Sequence, residues 1–217
     1  MKKYWIKVAT EDLTDSGVYR DTLYTRYFFD KGVVHMSLEP AWDGLTMDWY
    51  FTDNGVKIGF QDYAIKELSD TSLVLEEQGF RKIRLLSEEY LIGKSKRPGQ
   101  VDTLNGEPLY LANKIITARY QKGKSLSNEL EKLSHGYNIR KLSKLRIEFV
   151  VSEKGEVGSV KVVQGITPGL DNAIASAIKK TSKRWKPAQY DGRPIQVLMT
   201  FESSYINTSP IRSLNRQ

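Results

Sequence analysis

Of the side chains that do acid–base, nucleophilic or metal chemistry, the sequence holds 26 Asp and Glu but two His and no Cys, with no recognisable catalytic or metal-binding spacing among them. Cysteine is absent, which excludes disulfides, thiolate metal sites and Cys nucleophiles. The two histidines are His35 and His135; no motif accompanies either, so a metal site or a Ser-His-Asp triad would depend on a single imidazole. Both read as structural or surface residues. Glu88-Glu89 comes nearest to paired carboxylates, but neighbours on an extended chain point to opposite faces, and the pair reads as solvated. Asp171 has no second carboxylate at a defined spacing and reads as a helix-start residue favoured by the positive end of the helix dipole. Gly155, Gly158 and Gly165 are scattered through a hairpin, not strung before a helix as a phosphate loop requires. The expectation is a chain with no catalytic residue, no metal and no cofactor.

Charge offers the other route to function. The net charge is +7, and it is uneven: residues 1–106 hold 14 basic and 17 acidic side chains, residues 107–217 hold 19 and 9. The second half is the one to attract acidic partners. Lys179, Lys180, Lys183, Arg184 and Lys186 could form a phosphate-binding patch. However, no helix-turn-helix, RNP or zinc signature accompanies them, and a place at the negative end of a helix explains the cluster. No nucleic-acid partner is expected.

These residues must be positioned by two halves of different habit. Hydrophobic residues make up 40% of the chain, with no apolar run near the roughly 20 residues that span a bilayer. The start, MKKYWIKVATEDL, has lysines but not the apolar core of an export signal. Residues 1–92 read as short strands separated by turn residues. Tyr4, Ile6 and Val8 alternate with Lys3, Trp5 and Lys7, and Asp30-Lys31-Gly32, Asp53-Asn54-Gly55 and Ser69-Asp70-Thr71 punctuate hairpins. Seven or eight such strands predict an antiparallel barrel or sandwich. The run 53–75 resembles small lipocalin-like barrels. That resemblance implies a mouth lined by some of Tyr24, Tyr27, Phe29, Trp49, Tyr50 and Phe60, whereas barrels of about eight strands are often filled by their own side chains.

Residues 93–106, GKSKRPGQVDTLNG, read as a linker. A helix follows with Leu126, Leu130 and Leu133 in register, Ser125 or Ser127 as cap and Gly136 past its end. LRIEFVV (145–151) and VGSVKVV (157–163) form a hairpin. Thr167-Pro168 opens a helix whose stripe is Leu170, Ile174, Ala177 and Ile178, and Pro187 ends it. After the Asp191-Gly192 turn, Ile195, Val197, Met199 and Phe201 alternate as a third strand, which must pair antiparallel beside its neighbours and can leave its other edge free.

This hairpin, helix and strand, with Gly165, Leu170-Asp171, Trp185-x-Pro187 and Gly192-x-Pro194 in order, resembles the C-terminal domain of TonB over roughly 107–206, in the form found in Bacteroidota. The resemblance implies a non-catalytic, periplasmic or envelope-associated module. Such a module grips a segment of an outer-membrane TonB-dependent receptor, or another envelope protein, as an added β-strand. A homodimer through the same edge is a further partner it allows. The partner-facing residues would be Arg193, Ile195, Gln196, Val197, Leu198, Met199, Thr200 and Phe201. The chain departs from the family in lacking the membrane anchor and Pro-rich span of a force transducer. The expected fold is α+β: a β-rich module at 1–92, the linker, a TonB-C-like domain at 107–206 and a tail at 207–217. The rival function is a carrier of small apolar ligands, with the second module for docking.

Overall fold

The computed structural model describes residues 3–15, 17–37, 45–120, 126–137, 139 and 142–205. Nine strands come first: β1 (Tyr4–Asp12), β2 (Val18–Arg20), β3 (Arg26–Asp30), β4 (Val33–Ser37), β5 (Thr46–Thr52), β6 (Gly55–Ile58), β7 (Gln61–Leu68), β8 (Ser72–Glu77) and β9 (Arg81–Ser87). They are followed by α1 (Glu88–Lys94), β10 (Gln100–Leu104), β11 (Glu107–Leu111), β12 (Arg119–Tyr120), α2 (Leu126–Ser134), β13 (Ser143–Val151), β14 (Val157–Gln164) and α3 (Pro168–Lys180). The last are β15 (Trp185–Lys186), β16 (Ala188–Tyr190), β17 (Arg193–Ile195) and β18 (Val197–Tyr205).

Consecutive hairpins join β3 to β9 into an antiparallel meander, and β1 pairs with both β3 and β9, closing an eight-stranded barrel with β2 appended. Glycines at positive φ turn several of its corners, Gly32 among them at +70°. Trp5, Phe29, Val34, Val56, Leu73 and Leu85 are wholly buried inside. The phase of β1 differs from the expected alternation: Trp5 lies in the barrel core, Lys7 lines the interior, and a bulge between Lys7 and Ala9 resets the register. Ile6 on the outward side is buried as well, where α1 lies against β1. A strand covered on both sides carries no clean period of two.

The second core gathers around a sheet of order β10-β11-β18-β13-β14. The odd residues of β13 and β18, among them Leu145, Ile147, Phe149, Val197, Met199 and Phe201, face that core. Leu170, Ile174 and Ile178 of α3 and Leu126 and Leu130 of α2 are buried in the same core, as their helical spacing predicts. With the closed barrel and the helix-backed sheet the fold is α+β. Residues 100–104, in the stretch read as a linker, are instead a strand of the second sheet, paired with β11. Of the two caps expected for α2, Ser127 lies inside the helix and Ser125 outside the described residues.

Candidate functional site: an open strand edge and a barrel cavity

The local chemistry that delivers β18 begins at the α3 start. Thr167 caps the helix, its hydroxyl accepting from the Leu170 N–H at 3.4 Å, and Pro168 takes the first turn. The Asp171 carboxylate accepts the Ile166 N–H at 2.8 Å, so it closes the turn as well as meeting the dipole. A Cβ on Gly165 would collide with that carboxylate, which accounts for the glycine. Helix α3 stops at Lys180 rather than at Pro187: Thr181 caps it, its N–H and hydroxyl both donating to the Ile178 carbonyl. Only Lys179 and Lys180 therefore occupy its last turn, and the expected dipole role for Lys183, Arg184 and Lys186 does not hold. Arg184 instead donates to the Tyr120 hydroxyl at 3.2 Å.

Trp185 is a cornerstone of the core. It is 3% exposed, its ring lies 5.2 Å from Tyr120 and 5.5 Å from Phe149, and its indole N–H donates to Thr181 Oγ1 at 2.9 Å. Gly155, at φ +75°, lets the hairpin turn approach the Trp185 carbonyl so closely that any Cβ would clash. Asp191 and Gly192, both at positive φ, form the two-residue turn that pairs Tyr190 with Arg193, and Pro194 lies opposite Gln189.

The expected partner strand is divided by this geometry. Arg193 and Ile195 belong to β17, a separate hairpin with β16. Gln196 is buried, its amide donating to the Glu107 carbonyl at 2.8 Å and the Leu104 carbonyl at 3.2 Å. Val197, Met199 and Phe201 point into the core. The edge over residues 196–198 is already taken: β11 runs parallel to β18, Tyr110 N–H donating to Gln196 O at 3.2 Å and Ala112 N–H to Leu198 O at 3.1 Å. Hence Arg193 to Leu198 are not a free edge. A segment of the same chain occupies the place expected for a partner.

Beyond Leu198 the situation reverses. The β13–β18 ladder runs without a bulge from Val151↔Val197 to Ser143↔Tyr205. Because backbone groups alternate sides along a strand, the bonds to β11 at Gln196 and Leu198 put the N–H and C=O of Thr200, Glu202 and Ser204 on that same side. Among the described residues no strand pairs with them there. Of the eight residues expected to face a partner, Thr200 is the one with open backbone; Glu202 and Ser204 extend the edge past the expected end. A count of strand alternation could have found them, but not the blockage by β11. Their side chains share the sheet face away from the core with Arg146, which reaches Glu202 at 3.5 Å.

The barrel offers a second kind of site. Its core fills one end, while the end bounded by the Gly59-Phe60 turn holds a cavity of about 320 Å³. Of the aromatics expected at a mouth, Tyr27 and Phe60 line this cavity. Phe29 is packed core with Trp49 edge-on at 5.2 Å, and Tyr50 is exposed. Met47, Ile58 and Leu75 supply apolar wall. The charged side chains in the lining are Lys7 and Arg81; their counter-ions, Asp21 at 2.8 Å and Glu77 at 2.8 Å, lie outside it. Burial pushes the Tyr27 phenol up to about 12 and raises that of Tyr63.

A charge cluster that sequence reading missed joins the two modules. Arg26 of β3 is 2% exposed and Glu88 of α1 is 7% exposed. Arg26 Nε donates to Glu88 Oε1 at 3.0 Å, and Arg119 Nη1 lies 2.8 Å from Glu88 Oε2, in ion-pair range but off hydrogen-bond alignment. The other face of the Arg119 guanidinium covers the Tyr4 ring at 3.8 Å. Arg26 also donates to the carbonyls of Lys114 and Ile115, and Lys114 donates to Thr22 O. Burial lowers the Arg26 pKa, opposed by the Glu88 charge. Glu88 is thus a buried anchor, not half of a solvated pair; Glu89 is exposed.

His35 lies in the barrel strand β4 and His135 just past α2, in different modules. Among the described residues no group of three or more His, Cys, Asp or Glu could hold a metal ion, and no helix is long and apolar enough to cross a membrane.

Hairpin, capped helix and returning strand thus define a helix-backed antiparallel module with an accessible strand edge. Residues 140–206, from just before β13 to the end of β18, match the family described as Gram-negative bacterial TonB protein C-terminal. The match begins after β10, β11 and α2, so the occupant of the β18 edge lies outside it. No curated protein and no solved structure matches the chain.

Proposed function

We propose that this protein is a non-catalytic protein-binding component of the bacterial cell envelope, which takes a partner segment as an added strand along Thr200–Ser204 of β18. The observation that carries the reading is that edge: a row of backbone donors and acceptors in a rigid, core-packed strand, within the segment that matches the TonB family. Strand addition draws affinity from such a row and selectivity from alternate side chains. β11 is a worked example of pairing on that side, and an added strand continues where β11 leaves off. The partner in this reading is an outer-membrane receptor segment in energy-coupled transport, met on the periplasmic side. The basic second half favours an acidic segment.

The test is a pull-down from detergent-solubilised envelope with the full chain and two variants. Glu202→Pro replaces an outward N–H without touching the β13 ladder; Glu202→Ala leaves the edge intact. Receptors captured by the wild type and Glu202→Ala, and lost with Glu202→Pro, support the reading. Equal capture by all three baits contradicts it.

One observation favours a second reading, a small-ligand carrier with the TonB-like module for docking: the barrel is hollow at one end rather than filled.

A further inference from the structure

We infer that the barrel cavity binds a small amphipathic anion, an acyl chain carrying one carboxylate, with its chain on the Met47–Ile58–Leu75 wall and its headgroup at Tyr27, Lys7 and Arg81. This rests on the carrier reading and adds the chemistry of the ligand to it.

The first argument is an inventory of donors. Tyr27 is 8% exposed and lines the cavity; its hydroxyl is not among the enclosed unpartnered atoms of the described residues, so it opens onto the cavity. There it is placed to bond a ligand, as the polar end of an otherwise buried tyrosine ordinarily does with a partner. Because burial holds the phenol protonated to about pH 12, it is available as a donor at any physiological pH. Lys7 and Arg81 are donors only. Lys7 gives one of its donors to Asp21, and Arg81 gives Nε to Glu77 and a further N–H to the Tyr63 hydroxyl, leaving N–H groups on both. A ligand that satisfies this set presents an acceptor, and the two cations in the lining, with their counter-ions outside it, favour a negative one.

The second argument is shape. The volume of about 320 Å³ lies at the lower end of the roughly 300–1,000 Å³ range of small-molecule sites, so the chain is short, about ten carbons. Phe60, 98% exposed at the rim, offers apolar surface where a chain would enter.

The experiment is calorimetric titration of the full chain with decanoate and with 1-decanol, repeated with Tyr27→Phe after circular dichroism and melting show that variant folded. The inference predicts one decanoate per chain, bound at least tenfold more tightly than decanol. It predicts a further loss of about tenfold in Tyr27→Phe for decanoate alone, the size of one hydrogen bond to a charged group. Equal binding of the two probes, unchanged in Tyr27→Phe, overturns the headgroup assignment and leaves the carrier reading standing. No saturable binding of either overturns both.

Discussion

The two sheets of this molecule dispose of their backbone in opposite ways. In the barrel, β1 returns to β9 and every strand of the ring has two neighbours. Among the described residues the sheet of the second module does not close: β10 and β14 are edges, and β18 is covered by β11 for two residues and open beyond. Closure leaves the eight strands of the ring without a free edge, the short appended β2 aside, and so withdraws their backbone from strand addition. An open sheet keeps a backbone row exposed, which without a use is an aggregation hazard. The difference teaches where each function can reside: side chains around a cavity in the first module, main chain along an edge in the second.

That comparison can be broken most forcefully at the junction. Replacing Glu88 with Ala leaves the buried Arg26 and the adjacent Arg119 without their shared carboxylate, a change that costs about 3–5 kcal/mol when a buried pair loses one partner. Urea unfolding of Glu88→Ala will show a loss of that size, and an unchanged midpoint would mean that the modules are held by other contacts. Next, Gly155→Ala forces a Cβ against the Trp185 carbonyl at a left-handed φ, an overpacking and backbone strain of about 2–3 kcal/mol. It is expected to lower the melting point of the second module while the near-ultraviolet signal of the barrel tryptophans Trp5 and Trp49 persists. Glu202→Pro is expected to cost about 1 kcal/mol or less, because its N–H faces away from β13 and the Arg146 contact it removes is exposed, while abolishing partner capture. A large stability loss in this variant would place that N–H inside the ladder.

The smallest effect is a titration. With its folded pKa near 12 against an ordinary value near 10, Tyr27 favours the fold fully below about pH 10, and that contribution fades as pH rises through 12. Ultraviolet difference spectra will show a late-titrating phenol amplitude that Tyr27→Phe reduces by one tyrosine. A wild-type curve already complete by pH 11 would mean that the hydroxyl is hydrated.

Much of this was legible locally. The α3 stripe, the Thr167-Pro168 start and the barrel hairpins follow from short-range periodicity and turn chemistry, and the structure realises them within a residue or two. What escaped depends on partners distant in sequence. β10 lies in a stretch whose Gly, Pro and charged residues read as linker, because its pairing is with β11 on the rim and all but one of its residues are exposed. The parallel contact of Tyr110 and Leu111 with β18 leaves no mark in local alternation. Glu88 looked solvated beside Glu89, since nothing near it in sequence announces Arg26 or Arg119. Trp5 and Lys7 take the interior face, and Asp21 pairs with Lys7, a compensation invisible to a hydropathy pattern. The strand was accordingly legible, and of its open edge Thr200 was, whereas Glu202 and Ser204 were not.

The most direct test of the account is amide hydrogen exchange along β18 in the isolated full chain. Met199, Phe201 and Ser203 donate toward β13 and are predicted to exchange slowly, while Thr200, Glu202 and Ser204 exchange fast, an alternation confined to the segment beyond β11. Uniform protection from Met199 to Ser204 would show the edge already covered and contradict strand addition there.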